Sequence, residues 1–188
     1  ATKNSSTAPV VKVELPRNSG ETKVEIPVSN ATPGTVAVLV HPDGTEELLK
    51  GSIPTEDGIQ LTINGGATVK IVDNSKGFID TQDHWAKDEI SIAYNNGWIT
   101  GYPNGTFGPQ RDITRAETAT MINRVLCRMP QSESDLLDSM VTWPDNKPSD
   151  WHYLAVQEAT NSHDFNRQGE VGESWTKLTS VPDWKRYQ

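Results

Sequence analysis

Arg115 is the residue best suited to hold a charged ligand in this chain of 188 residues. Its planar guanidinium can grip a carboxylate through two parallel hydrogen bonds, a geometry that lysine does not reproduce. It stands in the run Thr114-Arg115-Ala116-Glu117, where threonine and glutamate form a capping box, each satisfying an orphan backbone donor at a helix start. The free N–H groups and dipole of such an end also favour an anion. The plainer reading of Arg115 is a surface ion pair with Asp112 or Asp80, and Glu117 has a sufficient structural job beside Thr114. Trp85, Trp98, Tyr102 and Phe107 could form a stacking platform, although large aromatics in a small helical domain more often fill the core. Trp85 and Tyr102 keep a ligand reading because each pairs an apolar body with a polar handle.

Other constellations point away from chemistry. His41, His84, His152 and His163 have no Cys or His neighbours at metal-ligand spacing, so no metal is expected. Asp135, Asp138, Asp145 and Asp150 lack the glycine and terminal glutamate of a calcium loop and read as a solvated stretch. No nucleophile elbow, phosphate loop or dinucleotide fingerprint is present, so neither an enzyme nor a cofactor is expected. A net charge of -8 without any Lys/Arg run argues against nucleic acid. The longest apolar run, Thr35 to Val40, is far too short to span a bilayer. The lone Cys127 rules out an internal disulfide and, in a helical apolar pattern, reads as a small buried thiol.

The elements that must position these residues fall into two kinds. Residues 1–9 read as a flexible linker without a signal peptide, as in the tail of a longer processed polypeptide. Residues 10–76 alternate with a period near two, the pattern of half-buried strands in a small antiparallel sheet or sandwich. Pro27, between Ile26 and Val28, predicts a sheet edge. His41-Pro42-Asp43-Gly44 and Asn64-Gly65-Gly66 predict hairpins. After Asn74-Ser75-Lys76-Gly77 the pattern turns helical. Ala86, Ile90 and Ala93 form one stripe ending at Gly97, and Ala119, Ile122, Val125 and Leu126 form the apolar face of a second helix that runs to about Arg128. A weak repeat is visible at about 66 residues, with Asp150-Trp151, Ala159 and Asn161 matching His84-Trp85, Ala93 and Asn95.

Phe78-x-Asp80, His84-Trp85-Ala86, Ile90-x-x-Ala93, Gly97, Gly101-Tyr102-Pro103-x-Gly105-Thr106-Phe107, Pro109 and Ile113-Thr114-Arg115-Ala116-Glu117 stand in order within residues 77–130. This stretch resembles an S-layer homology repeat over nearly its whole length. Residues 131–188 contain a segment, from Trp143 to about Trp184, similar to a divergent, partial repeat without the Gly-Tyr-Pro loop or the cap. The fold class expected is α+β, a small antiparallel β domain followed by a mainly helical S-layer homology region. The resemblance implies a secreted, non-catalytic module of the Gram-positive-type cell surface. Its partner would be secondary cell-wall polysaccharide, often carrying acidic pyruvyl ketals, without membrane or nucleic acid. It also implies glycan contacts from Arg115, Asp80, Trp85, Tyr102 and Thr106, with Thr114 and Glu117 as the cap. Because such repeats usually come in threes, self-association or a partner supplying missing repeats is expected. The alternative is a structural subunit that assembles into a layer or fibre through its β domain, using the segment Thr7 to Leu15.

Overall fold

Residues 8–169, 171–181 and 185 are described by the structure, a computed structural model, so most of the expected linker and Trp184 lie outside the described residues. By internal packing the chain comprises two compact units, residues 1–111 and 112–188. Among the described residues no helix is long and apolar enough to cross a membrane.

The first unit opens with seven strands: β1 (Val10–Val13), β2 (Glu21–Pro27), β3 (Thr35–Val40), β4 (Glu46–Leu48), β5 (Ile53–Pro54), β6 (Gly58–Asn64) and β7 (Ala67–Asp73). They form two antiparallel sheets, ordered β1-β7-β3-β4 and β2-β6-β5. Ile26, Ile59, Leu61 and Ile63 from one sheet and Ala37, Val69 and Ile71 from the other share a single buried core. Alternation along each strand turns these residues inward, and on β3 and β7 the alternate positions are apolar too, so Val36, Val38 and Val72 form a second buried cluster with Ala8 and Leu48 packed against it. Pro27 ends edge strand β2 opposite Gly58, where the missing N–H costs no ladder bond. His41 to Gly44 joins paired strands β3 and β4. Asn64-Gly65-Gly66 does not make the expected hairpin, because β6 and β7 lie in different sheets and the turn carries the chain across the core.

Helix α1 (Lys87–Asn95) comes next, and Ile90 of the expected stripe is buried. So are Asn95 and Asn96. The Asn95 side chain donates to the carbonyls of Ser91 (2.7 Å) and Lys76 (3.3 Å), tying the helix end to the segment after β7. Ser52, wholly buried, bonds to Asn96 (3.3 Å) and to the Ala37 amide (3.1 Å), joining the same helix end to the sandwich.

The second unit carries α2 (Arg115–Val125), a single 3-10 turn (Glu133–Asp135), α3 (Tyr153–Thr160) and a hairpin of β8 (His163–Gln168) and β9 (Gly172–Leu178). The expectation of an α+β chain with a mainly helical region is therefore corrected. Among the described residues strand outweighs helix: three sheets stand beside helices of only nine, eleven and eight residues. The reason lies at the helix ends. Gly97, at φ 73°, turns α1 back, with Trp98 N–H on the Ala93 carbonyl and Gly97 N–H on that of Tyr94. Position 163, 66 residues later, holds His163; α3 ends at Asn161 in extended backbone, and the chain runs straight into β8. Only a residue tolerant of positive φ makes the first kind of stop cheaply.

Helices α1 and α3 nonetheless share one device at their ends. Asn161, 66 residues after Asn95, donates to the carbonyls of Gln157 (3.2 Å) and Val141 (3.2 Å) as Asn95 does to those of Ser91 and Lys76.

Two further expectations about α2 are corrected. Its apolar stripe is not the packed face: Ile122, Val125 and Leu126 are 47%, 44% and 58% exposed, whereas Thr120 and Asn123 are buried. Asn123 donates to the Ala155 carbonyl of α3 (2.9 Å), which satisfies its burial. Cys127 is half-buried beyond the helix, not inside it, at φ 53°. It takes the place that Gly97 takes after α1, with Arg128 N–H on the Asn123 carbonyl (2.8 Å). A side chain there strains the backbone by roughly 1 kcal/mol. Urea unfolding should show Cys127→Gly stabilising the second unit by about that amount, and Gly97→Ala destabilising the first by a similar one.

Candidate functional site

In the first unit the candidate residues gather about the loop from Gly101 to Pro109. Phe78 is its floor, 4% exposed and packed on Tyr94 and Phe107 with ring centroids 4.6 and 5.4 Å away. Gly101, at φ 66°, lies so close that an added Cβ would sit 2.1 Å from the Phe78 ring. Asp80 accepts from the Phe107 amide at Oδ1 (2.9 Å) and from the Gly108 amide at Oδ2 (2.8 Å). These bonds hold its carboxyl below the ordinary aspartate range, the Phe107 amide contributing most. Thr106 donates its hydroxyl to Asn104 (2.7 Å), and Tyr102 has the Arg111 guanidinium 4.6 Å above its ring. Trp85 is 87% exposed and 5.5 Å from the His84 ring.

In the second unit Thr114 accepts from the Glu117 amide (3.2 Å) while Glu117 accepts from the Thr114 amide (2.9 Å), a complete capping box. Arg115, in the first turn, pairs with Asp145 at 2.6 Å, both side chains largely exposed. The partner is neither Asp112 nor Asp80; Asp145 arrives from the loop before α3, a contact invisible to local reading. Arg115 thus belongs to residues 112–188, and Asp80, Trp85, Tyr102 and Thr106 to residues 1–111.

A cation that sequence patterns do not single out sits nearby in α2. Arg124 lines a cavity of about 150 Å³ with Asn123, Arg128, Met129, Trp151 and Leu154. Burial pushes its guanidinium down from the ordinary value, and no acidic side chain among the described residues bonds to it. Trp151 is 70% exposed, with its ring 5.1 Å from that of His152. An arginine partly stripped of water, with no carboxylate among the described residues and an exposed indole beside it, suits an anionic group on an apolar-faced ligand. Spacing alone could have suggested Trp151, which matches Trp85 at 66 residues; Arg124 gives no signal without its neighbours.

The same unit buries a charged quartet. Arg128 donates through Nε to Glu173 (2.8 Å), and its Nη2 lies 2.8 Å from a Glu158 carboxylate oxygen and 2.7 Å from His163 Nε2. His163 Nε2 is 3.1 Å from a carboxylate oxygen of each glutamate, while Nδ1 donates to the Asn161 carbonyl (2.7 Å). Glu158, His163 and Glu173 place three donor atoms within 4.8 Å of one another, but the guanidinium of Arg128 already supplies the cation among them. Desolvation pushes the Glu158 carboxyl up. Burial alone would lower the His163 imidazole, yet its bonds to Glu158 and the Asn161 carbonyl outweigh that and raise it. Burial alone would raise Glu173, yet bonds with Glu158, Arg128 and His163 hold it down. From sequence His163 reads as an isolated histidine, since its partners come from other elements.

The S-layer homology domain family matches residues 77–119. The chain is 36% identical over 112 residues to cell surface glycoprotein 1 of Acetivibrio thermocellus, covering 60% of this chain and 4% of that protein. It is 35% identical over 86 residues to a cellulosome-anchoring protein of the same organism, covering 46% of this chain and 18% of that one. An S-layer protein of Bacillus licheniformis shares 34% identity over 110 residues, 56% of this chain and 12% of the relative. The chain therefore spans less than a fifth of these relatives' length. No solved structure matches.

Asp80 has a folded-state pKa that its loop bonds lower, so the stability it lends the loop is present above the ordinary aspartate range and disappears as pH falls through its folded value. In an acid titration followed by NMR, the amide signals of Phe107 and Gly108 should move together at a pH below that range. Asp80→Asn should displace both at neutral pH, since an amide group offers one oxygen acceptor where the carboxylate offers two.

Proposed function

From the premise that this chain is an S-layer homology domain-containing secreted protein of the bacterial cell surface, we propose that it is a non-catalytic module held on the wall by an acidic secondary polysaccharide. The observation that carries this reading is Arg124, partly buried and without an acidic partner among the described residues, in a cavity flanked by the exposed Trp151. A carboxylate on the glycan would restore to Arg124 the interactions that burial removed, and the indole would cover an apolar sugar face. Arg115 supports the same reading from the start of α2, where an incoming carboxylate competes only with the exposed carboxylate of Asp145. Pyruvyl ketals have the required charge. In the first unit Asp80 and Thr106 serve by shaping the loop that presents Tyr102, while Trp85 offers an open face.

A second reading, assembly into a layer through the β domain, is favoured by β1, an edge strand whose Val10 is 58% exposed. It requires concentration-dependent association that is lost when residues 1–15 are removed.

Co-sedimentation with purified wall sacculi, before and after acid removal of the secondary polysaccharide, separates the two. Wall attachment requires binding that vanishes with the polysaccharide. Arg124→Ala should weaken retention roughly tenfold or more, the effect of losing a charged hydrogen bond, and Arg115→Ala by a smaller factor, because its exposed carboxylate partner is only exchanged. Retention of both variants at the wild-type level would refute the assigned site.

A further inference from the structure

We infer that the unit of residues 112–188 folds around a trapped proton, so that its hairpin is latched shut by mild acid and loosened by mild alkali. Charge balance is the first reason. Glu158 and Glu173 have side chains 4% and 0% exposed, and His163 is 1% exposed. With both carboxylates ionised and the imidazole neutral, Arg128 offsets one negative charge and leaves the other buried, a costly arrangement.

Geometry gives the same answer. His163 Nδ1 spends its hydrogen on the Asn161 carbonyl (2.7 Å). Its Nε2 then faces oxygens of both Glu158 and Glu173 at 3.1 Å. Arg128 Nη2, 2.7 Å from the same nitrogen, can donate to it, yet the two carboxylate oxygens still face that nitrogen with no hydrogen between them unless a further proton is present. One proton, shared among Glu158, His163 and Glu173, turns this repulsion into a hydrogen bond and makes the quartet neutral. It belongs to the cluster rather than to one residue.

The groups that face the cluster come from every element packed on it. Arg128 enters from beyond α2, Glu158 from α3, His163 from β8 and Glu173 from β9. The indole N–H of Trp175 donates to Glu158 (2.9 Å), and its ring stacks on His163 at 4.0 Å. Arg128 and Arg167 lie 4.2 and 5.4 Å from the Phe165 ring. Asp135 is turned to its own loop, accepting from the amides of Gln131 and Ser132. Loss of the shared proton therefore acts on all four elements together.

The direction of the pH effect is set by the raised pKa values of Glu158 and His163, which follow from burial of the first and the carboxylate and carbonyl bonds of the second. Once unfolded, both glutamates are ionised and His163 is neutral above about pH 6.5. Folding above that value takes up one proton. The stabilisation is fully present below the unfolded histidine value and is lost as pH rises through the cluster's folded value. The latch is independent of wall attachment, whose failure would leave it untouched.

The test is urea unfolding of the full chain, followed on the indole N–H signal of Trp175, between about pH 6.5 and 8.5. The folding constant of the second unit should drop about tenfold for each pH unit over part of this range, the slope of one proton. Glu158→Gln, which carries permanent N–H donors in place of the proton, should flatten that dependence. A wild-type constant that does not change across the range overturns the latch, as does a Glu158→Gln slope equal to the wild type. If the variant does not fold, the wild-type slope decides alone.

Discussion

A buried asparagine amide has two N–H donors and a carbonyl that must find partners, and this chain uses that demand twice to fix where a helix ends. Asn95 and Asn161 each reach back one turn and across to the extended segment that precedes the helix. In the second copy the clasp is reciprocal, because Asn161 also accepts from the Val141 amide (2.8 Å). In the first, Asn95 Oδ1 is buried without a partner among the described residues. An unmet acceptor costs on the order of 1–3 kcal/mol, so the complete repeat holds its helix by the weaker clasp. Its Phe78 floor, with two aromatic neighbours, compensates by packing.

The residue two positions past each clasp decides what that copy becomes. Gly97 reverses the chain and opens the route to the Tyr102 to Gly108 loop braced by Asp80. His163, at the matching position, continues extended, and the hairpin it begins brings Glu173 and Trp175 against α3. One histidine in place of one glycine thereby exchanges a loop held by backbone amides for a strand pair held by buried charge. Arg128 sits at the junction: its backbone closes α2, its side chain completes the quartet, and the same residue lines the Arg124 cavity.

The sequence was most legible where structure is local. The capping box of Thr114 and Glu117 needs only residues three apart, and Pro27 marks an edge because no central strand tolerates it. Periodicity found an apolar stripe on α2 but could not tell that α3 would meet a different side of the helix, through Asn123. The turn at Asn64 to Gly66 was legible as a turn, yet whether it pairs its strands or sends them to two sheets depends on partners thirty or more residues away, Glu21 for Asn64 among them. The quartet was beyond reach for the same reason: Arg128 and Glu173 are 45 residues apart.

Arg115 and Arg124 differ in a way that sequence does not express and that bears on which of them anchors a ligand. An exposed pair such as Arg115 with Asp145 contributes about 0–1 kcal/mol, because water serves both partners nearly as well. Replacing Asp145 by a glycan carboxylate therefore gains little beyond the exchange. Arg124 has already lost part of its hydration to the fold and has received no carboxylate from the described residues in return. An anion that reaches it adds an interaction instead of trading one, and the desolvation has been met in advance by the packing of α2 against α3. On that ground, under the proposed wall attachment, the cavity beside Trp151 should dominate affinity over Arg115.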